Sequence, residues 1–92
     1  MLKRIVRMEF HPEKVTDFLS LFEEVKDKIA NQEGCTHLEL CQDASFPYVY
    51  YTFSLWKEEK FLEAYRNSEL FEATWAKTKV LFNGKPRAYS LI

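Results

Sequence analysis

Two titratable side chains of complementary chemistry lie two residues apart, at His37 and Glu39. In an extended strand this spacing puts both side chains on one face, about 6–7 Å apart. An imidazole beside a carboxylate suits general acid–base catalysis, so His37 is a candidate catalytic residue. The alternative, which we favour, is a polar row on a strand that faces solvent or a second subunit. The other histidine, His11, belongs to a different element and no third ligand is evident, so no metal site is predicted.

Aromatic residues are unusually abundant for a chain of this size. Eight Phe, five Tyr and two Trp make up 16% of the 92 residues, against only two Gly and three Pro. A chain this short buries only roughly 60–65% of its unfolded surface, so some rings are expected to line a cavity or face a partner. Trp56, Tyr65, Phe71 and Trp75 follow strand-end and helical spacing, which is typical of an ordinary core. The crowding of rings favours a cavity among them.

Arg4 and the two cysteines also carry reactive or charged groups. Arg4 shares one side of the first predicted strand with apolar residues, so it is a candidate for binding an anionic group at the mouth of a pocket. A surface ion pair is the alternative that we favour for it. Cys35 and Cys41 are six residues apart on one predicted strand, about 20 Å, which is beyond disulfide reach. Two unlinked thiols are typical of a reducing compartment.

Composition excludes several classes of protein. The 92 residues predict a single domain over 1–92, and 47% hydrophobic with 29% charged residues indicates a globular chain. Thirteen basic and fourteen acidic residues give a net charge of -1, which argues against a nucleic-acid partner. No apolar run is long enough to span a membrane, and the N-terminus does not resemble a signal peptide. We therefore expect a cytoplasmic protein.

Hydrophobic periodicity predicts the elements of the first half. Alternation over residues 2–10 predicts a strand, and Pro12 is well placed to start an amphipathic helix of about five turns that ends near Gln32. Gly34 then provides the stop. Residues 35–42 and 48–56 read as two strands joined by a hairpin connection.

The second half repeats the pattern with an interruption. A helical region starts at Lys57 and is broken at Asn67, after which Ser68 is expected to cap a continuation that carries Phe82 on its apolar face. Residues 85–92 form a last strand. The order βαββαβ predicts an α+β, ferredoxin-like fold, a four-stranded antiparallel sheet with two helices on one face.

The strand over residues 48–56 is apolar or aromatic on both sides, whereas a strand with one solvated face should alternate cleanly. Val49, Tyr51, Phe53 and Leu55 form one row and Tyr or Trp dominate the other. The helices cover one face of the sheet. A second copy of the chain, related by a two-fold axis, is the simplest cover for the other, so a homodimer through the sheet face is predicted.

The order of elements, the Gly34-Cys35 opening of the second strand and the run from Trp56 to Phe71 resemble the antibiotic biosynthesis monooxygenase (ABM) family over essentially the whole chain. The run contains Trp, then Glu, then Ser-x-x-Phe. The resemblance implies a dimeric α+β barrel whose pocket lies between the helices and the sheet. It also implies one of several activities, namely cofactor-independent oxidation of quinols or aromatic polyketides, haem degradation, or isomerisation of a signalling molecule.

The functional residues of these relatives are not reproduced here. Where the haem-degrading members carry Asn, Trp and His, the resemblance places Val6, Tyr65 and Trp75, so no haem ligand is supplied and no cofactor is expected. Quinol-oxidising and isomerase members commonly have His at the position of Tyr65 and often a second one near Leu70. Tyr65 remains a candidate catalytic residue that hydrogen-bonds the substrate, but an ordinary phenol is a poor base at neutral pH.

Two functions follow from the resemblance. The first is a cofactor-independent monooxygenase that holds a small phenol-like or quinol-like substrate with the residues Trp56, Tyr65, Phe71 and Trp75, together with Tyr50 and Arg4. The alternative is a non-catalytic dimer that binds a small hydrophobic ligand in the same cavity. A purely structural dimeric module is a third interpretation.

Overall fold

The computed structural model describes all 92 residues, and strands alternate with helices along the chain. The elements are β1 (Leu2–Glu9), a 3-10 turn (Pro12–Lys14), α1 (Val15–Ala30), β2 (Cys35–Gln42), β3 (Val49–Trp56), α2 (Glu59–Arg66), α3 (Glu69–Lys79) and β4 (Arg87–Leu91). None of the helices combines the length and apolarity that crossing a membrane requires.

The four strands form one antiparallel sheet in the order β2-β3-β1-β4. The two hairpin-connected strands are neighbours, and β1 lies between β3 and β4, which is the ferredoxin-like arrangement. Ile5 at the centre of β1 pairs with Phe53 on one side and Tyr89 on the other. The predicted α+β fold class is confirmed.

Three helices cover one face of the sheet instead of the two that the sequence predicts. The predicted second helix is divided at Asn67, and the Ser68 side chain caps α3 by accepting a hydrogen bond from the Phe71 N–H at 3.2 Å. The predicted interruption and cap are therefore confirmed, but the break is complete enough to separate two helices. α1 is preceded by a 3-10 turn that begins at Pro12.

The prediction that α3 continues to Phe82 is wrong. The helix ends at Lys79, and Phe82 forms an isolated bridge with Phe10 at the end of β1. The two rings pack with centroids 5.5 Å apart, and the Asn83 N–H donates to the carbonyl of Glu9 at 2.8 Å. These contacts provide hydrogen-bond partners for backbone groups at the end of β1. A further turn of α3 would leave those groups without partners.

Two aromatic groups fill the space between the sheet and the helices. The first is the core cluster of Met8, Phe10, Phe18 and Tyr50, in which the Phe10 and Phe18 rings stack with centroids 4.2 Å apart. The second involves Trp56 together with rings from α2 and α3. The opposite face of the sheet carries no helix, and we call it the open face; its β3 residues are Val49, Tyr51, Phe53 and Leu55.

Candidate functional site

A cavity of about 320 Å³ lies between the helices and the sheet. Thirteen of its 21 lining residues are hydrophobic. The sheet contributes side chains of β1, β2 and β3 that point toward the helices, and the helices contribute one face each. The lining includes Arg4, Val6, Met8, Leu38, Thr52 and Ser54 from the sheet and Phe22, Val25, Leu62, Tyr65, Phe71 and Trp75 from the helices.

One wall of the cavity is a continuous series of aromatic rings. Tyr65 and Phe71 meet edge to face with centroids 5.3 Å apart, and Phe71 stacks on Trp75 at 5.8 Å with the planes only 9° apart. The break between α2 and α3 makes this contact possible, because Ser68 ends one helix and caps the next between the two rings. Flat rings in this arrangement present a surface suited to a planar apolar ligand.

Two of the predicted binding residues do not line the cavity. Trp56 is only 1% exposed and donates from Nε1 to Ser54 Oγ at 3.0 Å, so it lies behind the wall and stacks on Tyr65. Tyr50 belongs to the core cluster with Phe10 and Phe18. The structure thus brings Arg4, Tyr65, Phe71 and Trp75 together at one cavity and places Trp56 and Tyr50 in the packing around it.

Tyr65 carries the most strongly perturbed group of the cavity. Burial, with a smaller effect from the nearby Cys35 thiol, raises the pKa of Tyr65 to about 12. The phenol is therefore protonated at neutral pH and acts as a hydrogen-bond donor. Its hydroxyl forms no hydrogen bond within the chain. Every fully buried side-chain oxygen does have a partner, so the Tyr65 hydroxyl is accessible to solvent or to a ligand.

A second polar region involves two arginines. Arg4 lies between Ser54 and Ser90 on the neighbouring strands and donates from Nη1 to Ser90 Oγ at 2.9 Å. Burial lowers the pKa of the Arg4 guanidinium, and the like charge of Arg66 lowers it further. Arg66 is the last residue of α2 and donates from Nη1 to Glu63 Oε1 at 3.0 Å.

Arg66 and the small polar residues of the cavity were not predicted from the sequence. Thr74 and Thr78 border it from α3, where the Thr78 hydroxyl donates to the Thr74 carbonyl at 2.7 Å. Helical spacing offered a signal for the two threonines, because Thr74 is three residues from Phe71 and Thr78 is three residues from Trp75 on the same helix. It offered none for Arg66, which follows Tyr65 directly.

His37 lies on the open face, away from the cavity. Its Nε2 is 3.0 Å from Glu39 Oε1, and the Cys41 thiol donates to Glu39 Oε2 at 3.6 Å. The spacing rule thus placed His37 and Glu39 together, but the two catalytic candidates, His37 and Tyr65, are on opposite faces of the sheet. No group of three or more His, Cys, Asp or Glu side chains is arranged to hold a metal ion. Both cysteines are free.

Comparison with known proteins identifies the family. The sequence profile described as antibiotic biosynthesis monooxygenase matches residues 1–77. The chain belongs to this family. Its core positions Val6, Tyr65 and Trp75, where the haem-degrading members have Asn, Trp and His, all border the cavity. With no imidazole or thiolate in the lining, the donor set does not match that of these haem-degrading members.

Solved structures of low sequence identity share the fold of this ABM-family chain. A conserved protein from Methanosarcina mazei Go1 superposes with a TM-score of 0.93 at 19% identity, covering 98% of this chain and 89% of the other. A structure described as antibiotic biosynthesis monooxygenase superposes with a TM-score of 0.93 at 20% sequence identity, and the match covers 100% of this chain and 97% of the other. Rv0793 from Mycobacterium tuberculosis superposes with a TM-score of 0.91 at 16% sequence identity, and the match covers 99% of this chain and 92% of the other. No curated protein matches the sequence significantly.

Proposed function

We propose that this protein is a monooxygenase that acts on a small phenol-like or quinol-like substrate in the cavity between the helices and the sheet. The observation that carries the proposal is the ring-walled apolar cavity of about 320 Å³ with one unpartnered phenol donor, in a chain of the ABM family. A cavity of this size is at the lower end of the range for small-molecule sites. It accommodates a single small planar ligand.

The residues that line the cavity bind and orient the substrate. Tyr65 donates a hydrogen bond to a substrate oxygen, because its phenol is protonated at neutral pH. Phe71 and Trp75 hold the flat body of the substrate and keep water away from it. Electron-rich phenols and quinols reduce oxygen themselves as their anions, which is why the family resemblance implies no cofactor. For anthrone the step consumes one O₂, converts a methylene to a carbonyl and releases one water.

A second candidate function is binding without catalysis. No Asp, Glu, Lys or His lines the cavity, so none of these general bases is within the site. This observation favours a protein that sequesters or senses a small hydrophobic ligand. Binding of a ligand with no enzyme-dependent product would support this second function.

Oxygen uptake with anthrone or a simple hydroquinone tests the first function, with the rate corrected for spontaneous oxidation. Thr74→Trp fills the cavity from α3, and Ala76→Trp adds the same side chain at an exposed position of the same helix. The proposal expects uptake by the wild type and Ala76→Trp and loss of uptake in Thr74→Trp. Uptake at the spontaneous rate for the wild type would contradict it.

We also propose a homodimer that pairs the open faces of two sheets. The central row of this face runs Glu39, Phe53, Ile5 and Tyr89 across the four strands. Tyr89 and Leu91 on β4 are about half exposed, at 46% and 49%. Apolar side chains in the middle and charged ones such as Arg7 around them match the core and rim of a protein–protein interface.

A further inference from the structure

The charged residues that border the cavity all have the same sign. They are Arg4, Arg66 and Arg87, and the lining contains no acidic side chain. The chain as a whole has 14 acidic and 13 basic residues, so composition does not account for this bias. A concave apolar site with clustered positive charge attracts and concentrates an anion.

Arg4 is the best placed of the three. Its guanidinium is partly buried, its observed hydrogen bond goes to the neutral hydroxyl of Ser90, and it forms no ion pair with a carboxylate of the chain. A guanidinium offers five N–H donors, so most of them remain free. The nearby Glu63 carboxylate favours the charged form of Arg4 but forms its ion pair with Arg66. A bound anion would add a counter-charge and reduce the cost of burying the Arg4 guanidinium.

Arg66 approaches from the helix side and reinforces the positive charge. It is close enough for its like charge to lower the pKa of Arg4, and its one ion pair, with Glu63, uses Nη1 alone. Arg87 pairs with Arg7 across β1 and β4, so its side chain belongs to the row of the open face and it borders the cavity only at the start of β4. The inference therefore uses Arg4 and Arg66.

We propose that the cavity binds an aromatic ligand that carries an anionic group, a carboxylate or a phosphate, with Arg4 and Arg66 on the anion and Tyr65, Phe71 and Trp75 against the rings. The proposal rests on the cavity being a ligand site, as in the proposed function, and adds the substrate class. Paired N–H donors of arginine match the geometry of both anions. Ala88 on β4 borders the cavity and is exposed to solvent.

Isothermal titration with a charged and a neutral ligand of the same shape tests the proposal. We expect the wild type to bind 2-naphthoate at least about tenfold more tightly than 2-naphthamide, since a charge-assisted pair is worth more than a neutral one. Arg4→Gln removes most of this preference, because it weakens the binding of naphthoate more than that of naphthamide. Lys85→Gln makes the same charge change at an exposed residue outside the cavity and keeps the preference. Naphthyl phosphate in parallel shows which anion is preferred.

The outcomes separate this inference from the proposed function. Equal binding of naphthoate and naphthamide overturns the anion site and leaves the cavity as a ligand site. Failure of naphthoate, naphthamide and naphthyl phosphate to bind also overturns the anion site, and oxygen uptake then decides the proposed function separately. If Arg4→Gln does not fold, Arg66→Gln carries the same comparison, because Arg66 is exposed at the end of α2. If folded Arg4→Gln keeps the full preference for naphthoate over naphthamide, the inference is overturned. Where Arg4→Gln does not fold, the same result with Arg66→Gln overturns it.

Discussion

The indole of Trp56 stacks on the ring of Tyr65, with centroids 5.5 Å apart and planes 21° apart. Trp56 is at the end of β3 and Tyr65 is near the end of α2, so this one contact joins the sheet to the helix that borders the cavity. Trp56 is itself fixed by its hydrogen bond to Ser54. The stack therefore sets where the Tyr65 hydroxyl lies.

Trp56→Phe is expected to destabilise the fold. The substitution removes the Nε1–H donor, leaves the buried Ser54 hydroxyl without that partner and creates a void, which together cost about 2–3 kcal/mol. Trp75→Phe removes the same atoms from a partly exposed side chain that makes no such hydrogen bond, so it should cost less. Urea unfolding monitored by circular dichroism compares the two; equal losses would show that Trp56 is not the fixed support described here.

Gly34→Ala is expected to be more damaging than Gly84→Ala. Both glycines have positive φ, +82° and +121°, which costs about 1–3 kcal/mol for a residue with a side chain. At Gly34 a Cβ atom would also overlap the Phe61 ring, whereas Gly84 has open space. The free energies of unfolding in urea should differ by at least about 1 kcal/mol between the variants. A smaller loss for Gly34→Ala would argue against the close packing of α2 on this turn.

The phenol of Tyr65 should ionise only at strongly alkaline pH. Its pKa of about 12, against an ordinary 10.0, means that the folded state favours the neutral phenol. Its contribution to stability is therefore complete below pH 10 and is lost as the pH rises through 12. The difference in near-ultraviolet absorbance between wild type and Tyr65→Phe, titrated while circular dichroism reports an intact fold, isolates this group. A midpoint near 10 would place Tyr65 in solvent.

Phe53→Glu should convert the proposed dimer to a monomer. The substitution places a carboxylate beside Glu39 and Ile5 in the central row of the open face. Burying an unpaired charge in an interface costs several kcal/mol, enough to abolish association at micromolar protein. Leu19→Glu, at a residue of α1 that is 39% exposed and lies on the helical side, is the control that should stay dimeric.

Sedimentation velocity of the two variants and the wild type is the measurement. The proposal expects a species near 22 kDa, twice the 11.0 kDa chain, for wild type and Leu19→Glu, and 11.0 kDa for Phe53→Glu. A wild-type protein that sediments as a monomer at micromolar concentration would contradict the pairing of open faces.

Sequence patterns predicted the scaffold well because each rule acts locally. The aromatic and β-branched run became β3, Ser68 became an N-cap, and the order of elements allowed only a few sheet topologies. The end of α3 was mispredicted because the pairing of Phe82 with Phe10 is a long-range contact between residues 72 positions apart. Helical periodicity carries no information about such a partner.

The candidate site was only partly accessible from the sequence. Phe71 and Trp75 were predicted because they lie on one stripe of α3, and Tyr65 because it lies on the apolar stripe of α2. Arg4 was predicted because strand alternation set its face. The sequence could not show that Tyr65 lines the cavity whereas Trp56 is buried behind it, since both are aromatic and their rings are in contact. Nor could it place Arg66 near Arg4, because the distance between α2 and β1 depends on packing that neither local pattern encodes.

The most direct test of the central claim is product formation from anthrone under isotopically labelled O₂. The account predicts anthraquinone that carries one labelled oxygen atom, formed faster than in buffer by the wild type and by Ala76→Trp, and at the buffer rate by folded Thr74→Trp. Labelled product at the same rate with all three proteins and with buffer would contradict a monooxygenase whose chemistry takes place in this cavity.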